Sequence, residues 1–452
     1  MDREIKKVIP CIDIQSGKAV KGVSFEGIKE VGSIVDLAVK YALSGADELI
    51  FLDISADASS KVNNVNWIKE VVERVDIPIT VGGGIQSLQD ATQLFDLGVS
   101  KVSIGSAALV NPTLIQELVT TYGSEAVVVS IDSKQIDNQW MVFSSGGQVN
   151  SGKELFDWAK EVESLGAGSL LFTSIANDGA QKGYAIKALA KLKSTVAIPV
   201  IASGGAGNIE HFVEALTLGK ADAVLAASLF HYDKLGVEQL KFALRNEGIV
   251  VNLEACFTHL IWDKEGLLPA IIQDTETDTV LMLGYMNKES LSKTLADGKV
   301  TFYSRSRNKL WTKGEESGNF LNLVAMRADC DRDALLVKVN PVGPVCHLGS
   351  DSCWREENKN KHFLYYLEEV IKARSKESAD ISYTSALFQA GKEKIAQKVG
   401  EEAVELVIEA LGDDDQLFLN EAADLMYHYL VLLQERGFGL RDVIAILKDR
   451  HK

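Results

Sequence analysis

The sequence predicts a multidomain chain: an α/β (β/α)8 barrel over residues 1–252, a small α+β domain over 253–358 and an all-α helical domain over 359–452. Three observations predict it. Short apolar runs alternate with helix-sized segments through the first stretch, and its two halves echo each other. After Asn252 the rhythm gives way to hairpin-like runs with clustered cysteines and aspartates. After the polar segment Glu356-Glu-Asn-Lys-Asn-Lys, which reads as a linker, the pattern is helical to the end.

A chain of 452 residues exceeds what one core organises. The net charge of −16 argues against general nucleic-acid binding. No apolar run approaches the ~20 residues needed to cross a bilayer. The N-terminus has no signal-peptide apolar region, so a cytoplasmic location is expected. Five cysteines, Cys11, Cys256, Cys330, Cys346 and Cys353, are an odd number for a disulfide framework, and the last three cluster.

The barrel strands are read at Val8–Ile12, Glu48–Leu52, Pro78–Val81, Lys101–Ile104, Ala126–Ile131, Ser169–Thr173, Pro199–Ala202 and Ala223–Ala226, with helices such as Val65–Val75 and Ile209–Leu218 between them. Asp13 ends the first strand and Asp132 the fifth. Leu52-Asp-Ile-Ser lines up with Phe172-Thr-Ser-Ile, Val81-Gly-Gly-Gly-Ile with Ser203-Gly-Gly-Ala-Gly, and Ser103-Ile-Gly-Ser-Ala with Leu225-Ala-Ala-Ser-Leu. The stretch therefore reads as a doubled half-barrel. Barrel active sites lie at the C-terminal strand ends, where glycine turns bring backbone N–H groups close to phosphate oxygens. One such run is a tight turn. Two on opposite halves predict a substrate with a phosphate at each end, received by Gly82, Gly83, Gly84, Gly105 and Ser106 on one side and Gly204, Gly205, Ala227 and Ser228 on the other. Asp13 and Asp132 would stand between them for acid–base work.

These segments, with Cys11-Ile-Asp-Ile, Val20-Lys-Gly-Val-Ser-Phe, Lys101-Val-Ser-Ile and Ala126-Val-Val-Val-Ser-Ile-Asp, resemble the cyclase subunit of imidazole glycerol phosphate synthase. The resemblance implies that ammonia and a bis-phosphorylated ribulosyl-formimino substrate give imidazole glycerol phosphate and aminoimidazole carboxamide ribotide. It implies catalytic roles for Asp13, Asp132, Lys21 and Asp178. It also implies an ammonia entrance at the barrel's bottom, where Lys7, Glu48, Lys101 and Ser169 stand in place of an Arg–Glu–Lys–Glu ring. Ser100 replaces an Asp that often helps dock a glutaminase, Gly105 replaces a frequent Asn, and the loop Gly27–Asp36 is off-pattern. Docking of a glutaminase partner is left open. The alternatives are the isomerase of the same pathway, which shares the doubled barrel, or an inactive dimerising scaffold.

In the second module Leu267–Gln273 and Val280–Tyr285 read as a hairpin, Asn287–Leu295 as a short helix, and Val300–Ser304 and Leu321–Arg327 as further strands. In extended chain, alternate residues share a side. In Asp329-Cys-Asp-Arg-Asp, therefore, Asp329, Asp331 and Asp333 offer three oxygen ligands suited to Mg2+ while Cys330 points away. With Cys346 and Cys353, Cys330 completes three thiolates, which leave an open position on zinc as hydrolysis requires. Leu283-Gly-Tyr-Met-Asn, Phe302-Tyr-Ser-Arg-Ser-Arg, Leu310-Trp-Thr-Lys-Gly-Glu-Glu-Ser-Gly-Asn and Cys346-His…Ser352-Cys-Trp resemble phosphoribosyl-AMP cyclohydrolase. That resemblance implies Zn2+, Mg2+ and a site shared across a homodimer. Arg305, Arg307 and Lys313 are candidates for phosphate or ribose contacts.

In the third module Glu401, Glu402 and Glu405 fall at i, i+1 and i+4 of one helix, and Glu421 and Asp424 at i and i+3 of another. Facing helices could gather these five around Mg2+ and a triphosphate. Ser382-Tyr-Thr, Lys398-Val-Gly-Glu-Glu-Ala-Val-Glu and Glu421-Ala-Ala-Asp-Leu-Met-Tyr-His resemble phosphoribosyl-ATP pyrophosphohydrolase. The combined expectation is a cytoplasmic trifunctional histidine-biosynthesis enzyme acting on phosphoribosyl nucleotides, a homodimer that binds neither nucleic acid nor membrane.

Overall fold

A computed structural model describes residues 4–23, 26–54, 66–358 and 363–451. Ser24, Phe25, Ser55, Val65 and the linker's last three residues lie outside them, as do the side chains of the off-pattern loop up to residue 29. Packing divides the chain into two compact units: Met1–Ile272 with Leu283–Val342, and Gln273–Met282 with Gly343–Lys452.

The first unit contains a closed barrel. Its strands in chain order are β1 Lys7–Gln15, β2 Lys18–Val23, β3 Glu26–Gly32, β4 Leu49–Asp53, β5 Ile79–Gly82, β6 Lys101–Ile104, β7 Val127–Ile136, β8 Gln139–Ser144, β9 Val149–Glu154, β10 Ser169–Ser174, β11 Val200–Ser203 and β12 Ala223–Ala226. Eight of them, β1, β4, β5, β6, β7, β10, β11 and β12, pair in parallel, and β12 returns to β1. The apolar runs become these strands because both faces are buried, one by barrel interior and one by helices. Inside lie Ile9, Cys11, Ile50, Val128, Leu171, Ile201 and Leu225. Outside, helices such as Ile34–Leu43, Leu155–Ser164 and Ile209–Thr217 bury one apolar stripe each, including Tyr41, Trp158 and Phe212.

The doubling extends to features absent from the apolar pattern. The first strand of each half continues into an antiparallel hairpin, β1–β2–β3 and β7–β8–β9. In the first, Asp13 is paired with Val20; in the second, Asp132 with Phe143. Each aspartate also meets the next barrel strand, at Leu52 and Thr173. The two carboxylates thus hold equivalent places.

Beyond the barrel, β13 Leu268–Asp274 and β14 Val280–Met286 cross the boundary between units. In the first unit β15 Thr301–Ser304 pairs antiparallel with β16 Lys309–Thr312, and β17 Leu321–Ala328 with β18 Leu335–Pro341. Helix Lys288–Asp297 begins on an Asn287 capping box and ends on left-handed Gly298, as a polar N-cap and C-terminal glycine dictate. The second unit is helical: Phe363–Arg374, Tyr383–Ala390, Lys392–Glu409, Asp415–Glu435 and Leu440–Arg450. Ile371, Leu387, Ile395, Leu430 and Val431 form its small core. None of the described helices is long and apolar enough to cross a membrane.

Candidate active sites

The ends of the barrel strands enclose a cavity of about 970 Å³. Asp13, Lys21, Asp132 and Asp178 all line it, with Gly83, Gly84, Gly105 and Ser106 from one half and Gly204, Gly205, Ala227 and Ser228 from the other. Gly82 is placed differently: a Cβ there would meet Leu52 and Ser103 at 2.9 Å, so it serves wall packing. The glycine turns repeat in detail. Gly83 has φ +94°, and a Cβ on it would meet the Asp53 carbonyl at 2.2 Å. Strand register shifts the expected alignment by one residue, so that its counterpart is Gly204, which has φ +83° and would meet the Ser174 carbonyl at 2.8 Å. Each position needs both the left-handed backbone and the missing side chain. Gly105 and Ala227, at φ/ψ −125°/−88° and −122°/−68°, precede equivalent short helices.

The electrostatics do not repeat. Lys21 Nζ donates to Asp13 Oδ2 at 2.6 Å. Burial works against the Lys21 charge, but the Asp13 and Asp178 carboxylates outweigh it and hold the ammonium well above its ordinary pKa. Asp132 carries no such ion pair. Burial, reinforced by the Asp178 charge, pushes it up to about 6, although the Thr173 hydroxyl hydrogen bond pulls the other way. Burial also raises Asp178, against Lys21. Two carboxylates in one cavity, one paired with a cation and one titrating near neutrality, suit opposite proton-transfer roles.

In the second module the ligand oxygens of Asp329, Asp331 and Asp333 lie within 4.8 Å of one another on an exposed loop. Asp329 Oδ1 accepts the N–H groups of Asp333 and Ala334, both at 3.1 Å, which curls the loop. The neighbouring Asp331 charge raises the Asp333 pKa, as expected of carboxylates awaiting a cation. The trio therefore fits a hard divalent ion. Cys330 is exposed in the first unit; Cys346 and Cys353 belong to the second, and none of the three forms a disulfide among the described residues. Arg305 is exposed, with its guanidinium 3.7 Å from the Tyr285 ring centroid. Arg307 is exposed, and Lys313 is buried.

In the helical unit the convergent set is Glu402, Glu421 and Asp424, again with ligand oxygens within 4.8 Å. Burial and then the Glu405 charge raise the Glu421 pKa, so Glu405 borders the set. Glu401 is bonded to Lys398 at 2.8 Å and Gln397 at 2.6 Å, and the same Lys398 reaches Glu402 at 3.4 Å. Of the three carboxylates expected from this helix, Glu402, read as the flanking one, is the one that converges with Glu421 and Asp424. Consecutive helical residues point about 100° apart, and Glu402 and Glu405 share the face toward the next helix.

The profile of the histidine biosynthesis protein family matches residues 7–236. Those of phosphoribosyl-AMP cyclohydrolase and phosphoribosyl-ATP pyrophosphohydrolase match 282–355 and 364–451. The imidazole glycerol phosphate synthase subunit HisF of Flavobacterium johnsoniae is 52% identical over 248 residues, 55% of this chain and 99% of that protein. The HisF subunit of Parabacteroides distasonis is 47% identical over 248 residues, 55% and 99%. That of Elusimicrobium minutum is 47% identical over 246 residues, 54% and 98%. The chain belongs to the histidine biosynthesis protein family. Its barrel is HisF-like, which favours the cyclase over the isomerase alternative, and its modules make it a multifunctional histidine-biosynthesis enzyme with lyase and hydrolase activities.

The HisF-like barrel carries a three-residue ion cluster where the family resemblance expects a ring of four. Lys7 and Lys101 donate to buried Glu48 at 2.5 and 2.9 Å. Burial opposes the Glu48 charge, but the two lysines win and lower its pKa. Ser169 adds no charge, and the Ser100 hydroxyl accepts the Ile79 N–H at 3.2 Å. Sequence reading missed two histidines. Buried His231 is 2.6 Å from the Tyr41 hydroxyl, and burial drives it down to about 4. His428 lies 3.5 Å from Glu402 on the acidic face. The signal for it existed: 421, 424 and 428 are i, i+3 and i+7 of one helix.

Proposed function

We propose that the chain catalyses three reactions at separate sites: pyrophosphate release from phosphoribosyl-ATP over 359–452, hydrolytic opening of the adenine ring of phosphoribosyl-AMP over 253–358, and imidazole glycerol phosphate formation from the ribulosyl-formimino intermediate and ammonia over 1–252. The observation that carries the barrel reading is the cavity in which the two aspartates stand between matching glycine turns. Backbone N–H groups of the turns at Gly83–Gly84 and Gly105–Ser106, and at Gly204–Gly205 and Ala227–Ser228, take the two phosphates. Asp132 moves a proton near neutral pH, while Asp13, oriented by Lys21, serves the opposite step. Asp178 completes the charge balance around Lys21. The retained carboxylates argue against an inert scaffold.

Ammonia would enter past the Lys7–Glu48–Lys101 cluster. The buried hydroxyls of Thr80 and Ser103, on β5 and β6, have no hydrogen-bond partner among the described residues and could receive it within the barrel. Whether a glutaminase supplies it depends on the bottom face, where Lys7, Ser100 and Ser169 alter the expected docking charges.

The cyclohydrolase module belongs to a metal-dependent family. We assign Mg2+ to Asp329, Asp331 and Asp333. From the resemblance we assign zinc to Cys330, Cys346 and Cys353, where it would supply a Lewis acid that brings water's pKa toward about 7. Arg305, Arg307 and Lys313 remain proposed substrate contacts. Mg2+ in the third module falls to Glu402, Glu421 and Asp424, bordered by Glu405. Exposed Val404, Val407 and Ile408 on helix Lys392–Glu409, with Leu411 just past its end, support a homodimer, because such a group of apolar side chains favours burial by a second copy.

The test is direct. The purified chain receives the ribulosyl-formimino substrate with ammonium salt, and imidazole glycerol phosphate is followed. Absence of product while both hydrolyses proceed would leave the barrel a scaffold.

A further inference from the structure

The acidic loop holds one cation among its aspartates. Arg332 stands between Asp331 and Asp333 with φ +64°, a left-handed backbone unusual for a long side chain. Its Nε donates to the His259 carbonyl and its Nη2 to the Cys256 carbonyl, each at 3.1 Å. Its own carbonyl accepts the Ile261 N–H at 2.8 Å. Three hydrogen bonds thus tie one loop residue to the segment that leaves the barrel. That segment is anchored in turn. Cys256, Phe257 and Leu260 are buried, and a Cβ on Gly45 would meet Cys256 Sγ at 2.5 Å. Phe257 packs edge-on to Phe242 of helix Val237–Asn246, whose Asn246 side chain donates to the Val324 carbonyl of β17 at 3.1 Å.

Charge gives Arg332 one neighbour outside the loop, Glu238, whose carboxylate it favours, but no reason to stand inside the loop, since a guanidinium beside three metal-ligating carboxylates opposes cation binding. Geometry gives one. Three exposed, mutually repelling aspartates spread apart unless their backbone is held. The bonds within the loop curl it but fix it to nothing else. We propose that Arg332 is a positioning residue that holds the Asp329–Asp331–Asp333 loop in its cation-binding shape by clamping it to the barrel's exit segment. This rests on the reading of the trio as a divalent-cation site. It makes metal affinity in the cyclohydrolase module depend on its attachment to the cyclase barrel.

The test uses Mn2+ as probe, with binding followed by electron paramagnetic resonance. The full chain carries Glu421→Gln and Asp424→Asn, so that the helical acidic set is silent. Arg332→Gly tolerates the positive φ but removes the clamp, and about tenfold weaker Mn2+ binding is expected although a positive charge has left. Arg332→Lys restores part of the affinity, because one ammonium reaches one carbonyl at a time. Arg332→Gln, with neither charge nor fork, behaves like Arg332→Gly. Barrel turnover in the same preparations stays unchanged and reports an intact frame. Unchanged or tighter binding in Arg332→Gly, the outcome of a purely electrostatic role, overturns the proposal. Failure of the parent chain to bind Mn2+, with no further loss on Asp331→Asn, instead overturns the cation reading of the trio and this role with it.

Discussion

The two halves of the barrel share a backbone and differ in charge. Asp13 and Asp132 occupy equivalent ladder positions, and Gly83 and Gly204 make the same close approach to a carbonyl. Yet Asp13 has Lys21 at 2.6 Å, whereas Asp132 has a hydroxyl and a neighbouring carboxylate. One residue beyond Asp13's partner Val20 is Lys21; one beyond Asp132's partner Phe143 is Ser144. Symmetry supplies two phosphate turns and two carboxylates. A single unmatched lysine then makes the carboxylates unlike, which acid–base chemistry needs.

The strongest way to break this comparison is to neutralise each aspartate. Asp13→Asn and Asp132→Asn should each lower the barrel rate about 10²–10⁴-fold. Their stabilities should diverge. Asp13→Asn strands a buried ammonium and should cost about 2–4 kcal/mol in denaturant unfolding. The folded-state pKa of Asp132 is raised, so its ionisation penalty grows as pH rises from the ordinary carboxylate pKa to about 6 and is fully present above that. Asp132→Asn should therefore stabilise the chain by roughly 1–3 kcal/mol at pH 8 and by little at pH 4. Equal stability changes would dissolve the claimed asymmetry.

A second asymmetry lies in the seam. Asp47 N–H donates to the Val8 carbonyl at 3.1 Å, and Gly168 N–H to that of Val127 at 3.0 Å. Only Asp47 has a side chain there, and it accepts from fully buried Lys241 at 2.7 Å. Lys241→Met should destabilise the barrel by about 3 kcal/mol, because it leaves a carboxylate unpaired. Chemical unfolding of the full chain measures it.

The smallest effect sharpens the account most. Ser144→Lys would offer Asp132 a cation of its own and should shift the neutral limb of the barrel's kcat/KM profile about one unit lower in pH. An unmoved limb would assign that limb to another group.

Much of this frame was legible. Lys101–Ile104 and Ala223–Ala226 coincide with strands residue for residue, because fully buried parallel strands announce themselves as apolar runs. The rim hairpins were not: Val-Asn-Ser-Gly-Lys-Glu of β9 has no apolar run, since most of its side chains are exposed or half-buried. In the site, residue types were legible and directions were not. Gly82 reads like its neighbours but faces the wall, and Glu401 reads like Glu402 but only Glu402 converges with Glu421 and Asp424. His231 escaped because burial, not motif, gives it its partner Tyr41, whereas His428 was within reach of the helical spacing of Glu421 and Asp424.

One measurement bears most directly on the claim of three separate sites. All three reactions are assayed on a single preparation of the full chain and of Asp132→Asn. The account predicts that the parent performs all three and that the variant loses imidazole glycerol phosphate formation alone. A parent that makes no imidazole glycerol phosphate, or a variant that also loses adenine-ring opening, would contradict it.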